Sequence, residues 1–106
     1  MANGKMGKML KKMQKVQAEM LKMQEELSKR TVESTSGGGA VRAVVSGSRE
    51  LVGLEIDPQI LQEEEAEMIQ DLVISAVNEA LRQADKMISS EMQKIAGMPG
   101  MPKNLF

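Results

Sequence analysis

Residues 5–16 read KMGKMLKKMQKV: five lysines, Lys5, Lys8, Lys11, Lys12 and Lys15, with no acid between them. Ammonium groups on flexible stems act as point charges, and several in a row with no carboxylate to neutralise them suit the phosphates of a polyanion. Lys5, Lys8, Lys12 and Lys15 follow 3/4 spacing along one flank of a helix, with Lys11 farther round. A merely solvated helix normally interleaves its lysines with acids three or four residues away, as Glu19, Lys22, Glu25 and Glu26 do further along. Base edges are read best by bidentate Arg, Asn or Gln, and the basic end offers few of these, so the expected contact is with backbone phosphate. Lys22, Arg30 and Arg42 are secondary candidates.

The formal net charge of −1 conceals a strong asymmetry. Residues 1–30 carry eight basic groups against three acids, whereas residues 58–106 carry four against eight. One end is therefore built for an anionic partner, and the acidic end would repel the same partner.

Other chemistry has little to work with. The chain has no Cys and no His, so the usual activated thiol, general base and soft metal ligands are missing, and no serine stands in a nucleophile elbow or a Ser-x-x-Lys motif. Gly37, Gly38 and Gly39 lead into a strand and match no phosphate-loop pattern, so they read as a turn. Glu63, Glu64, Glu65 and Glu67 lack the spaced oxygen ligands of a calcium loop and fit a helix start. Neither an enzyme, a metal, a cofactor nor a small-molecule substrate is expected. No apolar run approaches the length of a membrane span, and the absence of cysteine fits a cytoplasmic protein.

The elements that must position the lysines follow from periodicity. Met6, Met9, Met13, Val16, Met20, Met23 and Leu27 alternate +3 and +4, a heptad seam that predicts a helix over about 5–29, roughly 37 Å long. With eleven methionines and one aromatic in 106 residues, packing must rest on aliphatic and thioether side chains. Residues 31–35, 40–46 and 51–57 are β-branched and partly alternating, separated by SGGG and GSRE turns, which predicts a three-stranded antiparallel meander. Val41, Ala43 and Val45, with Val52, Leu54 and Ile56, are expected on one face, and Arg42, Ser46, Glu55 and Asp57 on the other; Gly53 marks a candidate bulge. Asp57 and Pro58 open a short helical turn, and a second long helix over about 63–95 carries a stripe including Leu72, Val73, Ala76 and Ala80. Residues 1–97 form one domain, and 98–106 form a flexible Met/Pro/Gly tail.

The fold class is therefore α+β, ordered α-β-β-β-α. A three-stranded sheet is only about 14 Å wide, and a helix of roughly 37 Å overhangs it. The overhanging methionines and the sheet edges would stay wet without a second subunit, so a two-fold homodimer is expected. Its core and contact residues would include Met9, Met13, Val16, Met20, Val45, Leu54, Ile56, Leu72 and Val73.

The Lys/Met-rich first helix, GGGAVRAVVSG, LEIDPQIL, and EMIQDLVISAVNEAL before a Met/Pro/Gly tail ending in Phe closely resemble the YbaB/EbfC family of bacterial nucleoid-associated proteins. The similarity spans nearly the whole chain. It implies a tweezer-shaped homodimer that binds double-stranded DNA with little sequence preference, sits in the nucleoid and influences its organisation and gene expression. The family's frequent placement beside recombination genes implies a repair protein as an additional partner, and a protein-interaction module is the rival reading of the same helix. The ending PGMPKNLF departs from the shorter Pro-Gly-Leu-Phe-like ending usual in the family, and no function is carried onto it.

Overall fold

The computed structural model describes residues 3–96, with side chains from 6 to 94. The side chain of Lys5 and the tail at 98–106 lie outside the described residues. The elements run α1 (Asn3–Lys29), β1 (Thr31–Ser36), β2 (Val41–Ser46), β3 (Leu51–Ile56), α2 (Pro58–Glu63) and α3 (Ala66–Ala96), the α-β-β-β-α order of an α+β fold.

The strands form one antiparallel sheet in the order β1-β2-β3. Pairing sets Val32 against Val45, Ser34 against Ala43 and Ser36 against Val41, and on the other side Ile56 against Val41 and Leu54 against Ala43. With a period of two, these residues share one sheet face, and α3 lies across it over β1 and β2. Ala76, Ala80 and Ala84, spaced four apart, are fully buried beneath Val41, Ala43 and Val45. Alanine at each turn of the helix lets its backbone sit close to the sheet, so a core whose described residues are all aliphatic still closes. Leu72 carries a further tie: its carbonyl oxygen accepts a 2.6 Å hydrogen bond from Ser36 Oγ.

Three details depart from expectation. The β2–β3 register shifts between Val44 and Val45, so Leu51, rather than Val52, stands opposite Val45. The bulge adjoins Gly53, where the missing side chain lets a strand bend. Ser46, expected to face outward, is 6% exposed. Its hydroxyl lies 2.7 Å from Ser48 Oγ and accepts from the Glu50 amide, closing the β2–β3 turn from inside. The second long helix begins at Ala66 and not at 63, because Glu64 is extended (φ −107, ψ 152) and its amide ends α2 on the Ile60 carbonyl. Asp57 caps α2 as expected, accepting from the Gln59 amide at 2.9 Å.

The chain is far from spherical. Its radius of gyration is 20.8 Å, with extents of 78 × 19 × 16 Å, against about 13 Å for a compact domain of this length. The cause is α1, which packs lengthwise on no other described element and projects from the body. It is fixed at its base, where Leu27 is buried and the Gly47 amide donates to the Arg30 carbonyl at 2.9 Å.

Candidate nucleic-acid interface

α1 is one unbroken helix of 27 residues, about 40 Å long. At about 100° per residue, Met6, Met9, Leu10, Met13 and Val16 share an arc of about 120°, and Lys8, Lys11, Lys12 and Lys15 share another centred about 150° away. The projecting end of the helix therefore has an apolar side and a cationic side, nearly back to back. Both are open to solvent: Met6, Met9, Leu10 and Met13 are 58–64% exposed, and the four lysines are exposed as well.

Lys22 is exposed further down the same helix. Lys29, which sequence reasoning passed over, completes a series with Lys8, Lys15 and Lys22 at intervals of seven residues. Such a repeat keeps all four on one side of α1, about 10 Å apart and about 31 Å from end to end. The signal was present in the sequence as a strict +7 spacing.

Arginines and lysines are used differently. All four arginines are tied to carboxylates of the same chain: Arg30 to Glu91 at 3.3 Å, Arg49 to Asp85 at 3.5 Å, Arg82 to Glu79 at 2.7 Å, and Arg42 to both Glu33 and Glu55. Among the described residues, no lysine of α1 has a carboxylate within ion-pair distance. The arginine forks are engaged by carboxylates of the body, and the ammoniums without such partners stand on the projecting helix.

Two weaker candidates are thereby located. Arg30 sits at the base of α1 beside Glu91, whose carboxyl is held below its ordinary pKa by hydrogen bonds from Lys94 and then Arg30. Arg42 lies on the sheet face away from α3, bridging β1 and β3. Its Nη2 donates to Glu55 at 2.9 Å and its Nη1 to Glu33. These carboxylates keep the guanidinium more firmly protonated than usual, and Glu55 is in turn held below the ordinary carboxylate range by Arg42. An arginine so engaged offers less to a phosphate than a free lysine does, and Arg42 is not brought together with the α1 lysines.

The expected core and contact residues divide similarly. Val45 is buried, and Ile56, Leu72 and Val73 pack against the core. Met9 and Met13 are bare, Val16 and Met20 are half-buried, and Leu54 is 42% exposed because α3 does not reach over β3. Leu51 and Val52, at 47% and 55%, extend this apolar margin along the sheet edge.

Residues 2–99 match the YbaB/EbfC DNA-binding family. A nucleoid-associated protein of Pelotomaculum thermopropionicum is 52% identical over 104 residues, covering 95% of this chain and 99% of the relative. One from Moorella thermoacetica is 49% identical over 102 residues, covering 96% and 98%. Among solved structures, the uncharacterized protein HP0035 of Helicobacter pylori shares the fold with a TM-score of 0.69 at 26% identity, covering 80% of this chain and 89% of that one. The chain belongs to the YbaB/EbfC DNA-binding family.

Proposed function

We propose that this is a nucleoid-associated protein that grips double-stranded DNA by its phosphates, with low sequence specificity, and so alters duplex conformation, nucleoid organisation and gene expression. The observation that carries the reading is the lysine side of α1: Lys8, Lys11, Lys12 and Lys15, continued by Lys22, all without a carboxylate partner among the described residues, on a helix that stands clear of the described body. Lys5 extends the series in sequence. Point charges on flexible stems neutralise phosphates without reading base edges.

The working unit in this reading is a two-fold homodimer. α3 leaves the inner face of β3 bare at Leu51 and Leu54, and β3 is also an unpaired sheet edge, a combination that a second body would cover. The dimer doubles the lysines offered to one duplex.

If each α1 neutralises about three phosphates, log K should fall against log salt with a slope of roughly −5, at about 0.9 per phosphate. Binding isotherms on random and A·T-rich duplexes between low and physiological salt measure this directly. A slope near zero defeats the proposal, as does unchanged affinity after reversing Lys8, Lys11 and Lys15 to glutamate. In that outcome the same surface would serve the rival role of docking a recombination or replication protein.

A further inference from the structure

The apolar side of α1 faces away from Lys8, Lys11 and Lys15, so whatever covers that side leaves those three lysines free. We infer that it is covered by α1 of a second copy, running antiparallel, in a contact separate from the bare β3 face and independent of whether DNA is bound.

Two features of the chain select this occupant. The seam keeps strict 3/4 spacing from Met6 to Leu27, which is the requirement of a neighbouring helix; a lipid surface or an extended peptide needs no heptad. The charges flanking the seam then select the direction. Writing Met6, Met13, Met20 and Leu27 as position a, the flank before each a holds Lys5, Lys12, Glu19 and Glu26, two cations followed by two anions, while the flank after each d holds Leu10, Gln17 and Gln24, with no charge. In a parallel pair each charged flank would meet the uncharged flank of its neighbour, and no ion pair could form.

In an antiparallel pair like flanks meet. The register that sets Met13 against the partner's Val16 and Met9 against the partner's Met20 also sets Lys12 against the partner's Glu19, and position 5 against the partner's Glu26, each twice by symmetry. Among the described residues of the single chain, Lys12 and Glu19 are both exposed and neither has an ion-pair partner, although Lys15 and Lys22 lie within one turn of Glu19. Lys8, Lys11, Lys15, Lys22 and Lys29 fall outside the pair and stay open. Lys12 is thereby reassigned from a phosphate contact to a pairing residue.

Because the protein contains no cysteine, single cysteines report the pairing in the full-length chain. Under mild oxidation, a mixture of Met13→Cys and Val16→Cys chains should cross-link to each other well above the level set by Met13→Cys with Ala18→Cys. Met13→Cys alone should stay at that background. If Met13→Cys alone cross-links as well as the mixture, the helices run parallel; if neither exceeds background, the helices do not pair; either result overturns the proposal. Sedimentation of the otherwise unmodified chain gives the charge test. Lys12→Glu and Glu19→Lys should each raise the concentration needed for assembly by about tenfold, since two attractive pairs become repulsive. The double variant, with the same net charge as the parent, should restore it. Lys8→Glu with Lys15→Glu should weaken DNA binding without moving the cross-link yield, which separates failure of this pairing from failure of the DNA reading.

Discussion

A Cβ placed on Gly47 would stand 1.8 Å from the carbonyl oxygen of Leu27 and 2.7 Å from its carbon. Both are backbone atoms and cannot rotate away. The close approach lets the Gly47 amide reach the Arg30 carbonyl at 2.9 Å, so the β2–β3 turn pins the chain where it leaves α1 for β1. Since no element among the described residues packs along α1, this pin together with buried Leu27 sets the angle at which the lysines are held.

Gly47→Ala should therefore push the turn and the helix base apart. The expected cost is about 1–3 kcal/mol, as for other overpacked sites. Thermal unfolding by circular dichroism checks the loss, and amide exchange should show faster exchange of the Gly47 N–H and of the last turn of α1. Unchanged stability would mean that the base of α1 is not seated on the turn.

Acid should loosen the body in a specific window. Glu55 is held below the ordinary carboxylate value of 4.5 by Arg42, Glu79 by Arg82 and then Gln83, and Glu91 by Lys94 and then Arg30. A depressed folded-state value means that the unfolded chain takes up the proton first. Stability should be level above about pH 5 and fall as pH drops below 4.5 through the folded-state values. The Glu55 and Glu79 pairs are at the surface, so added salt should flatten the effect there, and least at the half-buried Glu91. Arg42→Ala should make the acid loss shallower by removing the anchor of Glu55. A melting temperature that stayed constant down to pH 3 would contradict these assignments.

The parts of this molecule that could be read from sequence are those written in local period. The heptad of α1 and the alternation of β2 are short-range patterns, and both elements form where those patterns lie. Glutamate is a good helix former, so the sequence alone predicts helix through Glu64, yet the chain there turns extended before α3 starts at Ala66. The bulge beside Gly53 moved the inward position from Val52 to Leu51, since sequence marks a bulge without saying which neighbour yields. The fate of the arginines was hidden for another reason: Arg30 and Glu91 are 61 positions apart, and Arg49 and Asp85 are 36 apart, so only the fold brings them together. The α1 lysines needed no such information, because the helix that places them touches almost nothing else among the described residues.

Leu54 tests whether the bare β3 face is a subunit contact. It shares the inner face with Ala43, its pairing partner, but α3 stops short of it, and it remains 42% exposed in the single chain. Leu54→Glu should accordingly cost the isolated subunit little, within about 1 kcal/mol, as is usual for a partly exposed position away from the packed core. In a dimer built on that face the same change would bury a carboxylate without a partner, at a cost of several kcal/mol per copy, and two copies would suffer it together. Sedimentation should therefore show the body-to-body dimer lost while circular dichroism keeps the folded signal. Halving the lysines offered to one duplex should also bring the salt slope from roughly −5 towards about −3. If Leu54→Glu leaves both the mass and the slope unchanged, the two-fold contact does not run through β3, and the exposed margin of Leu51, Val52 and Leu54 needs another occupant.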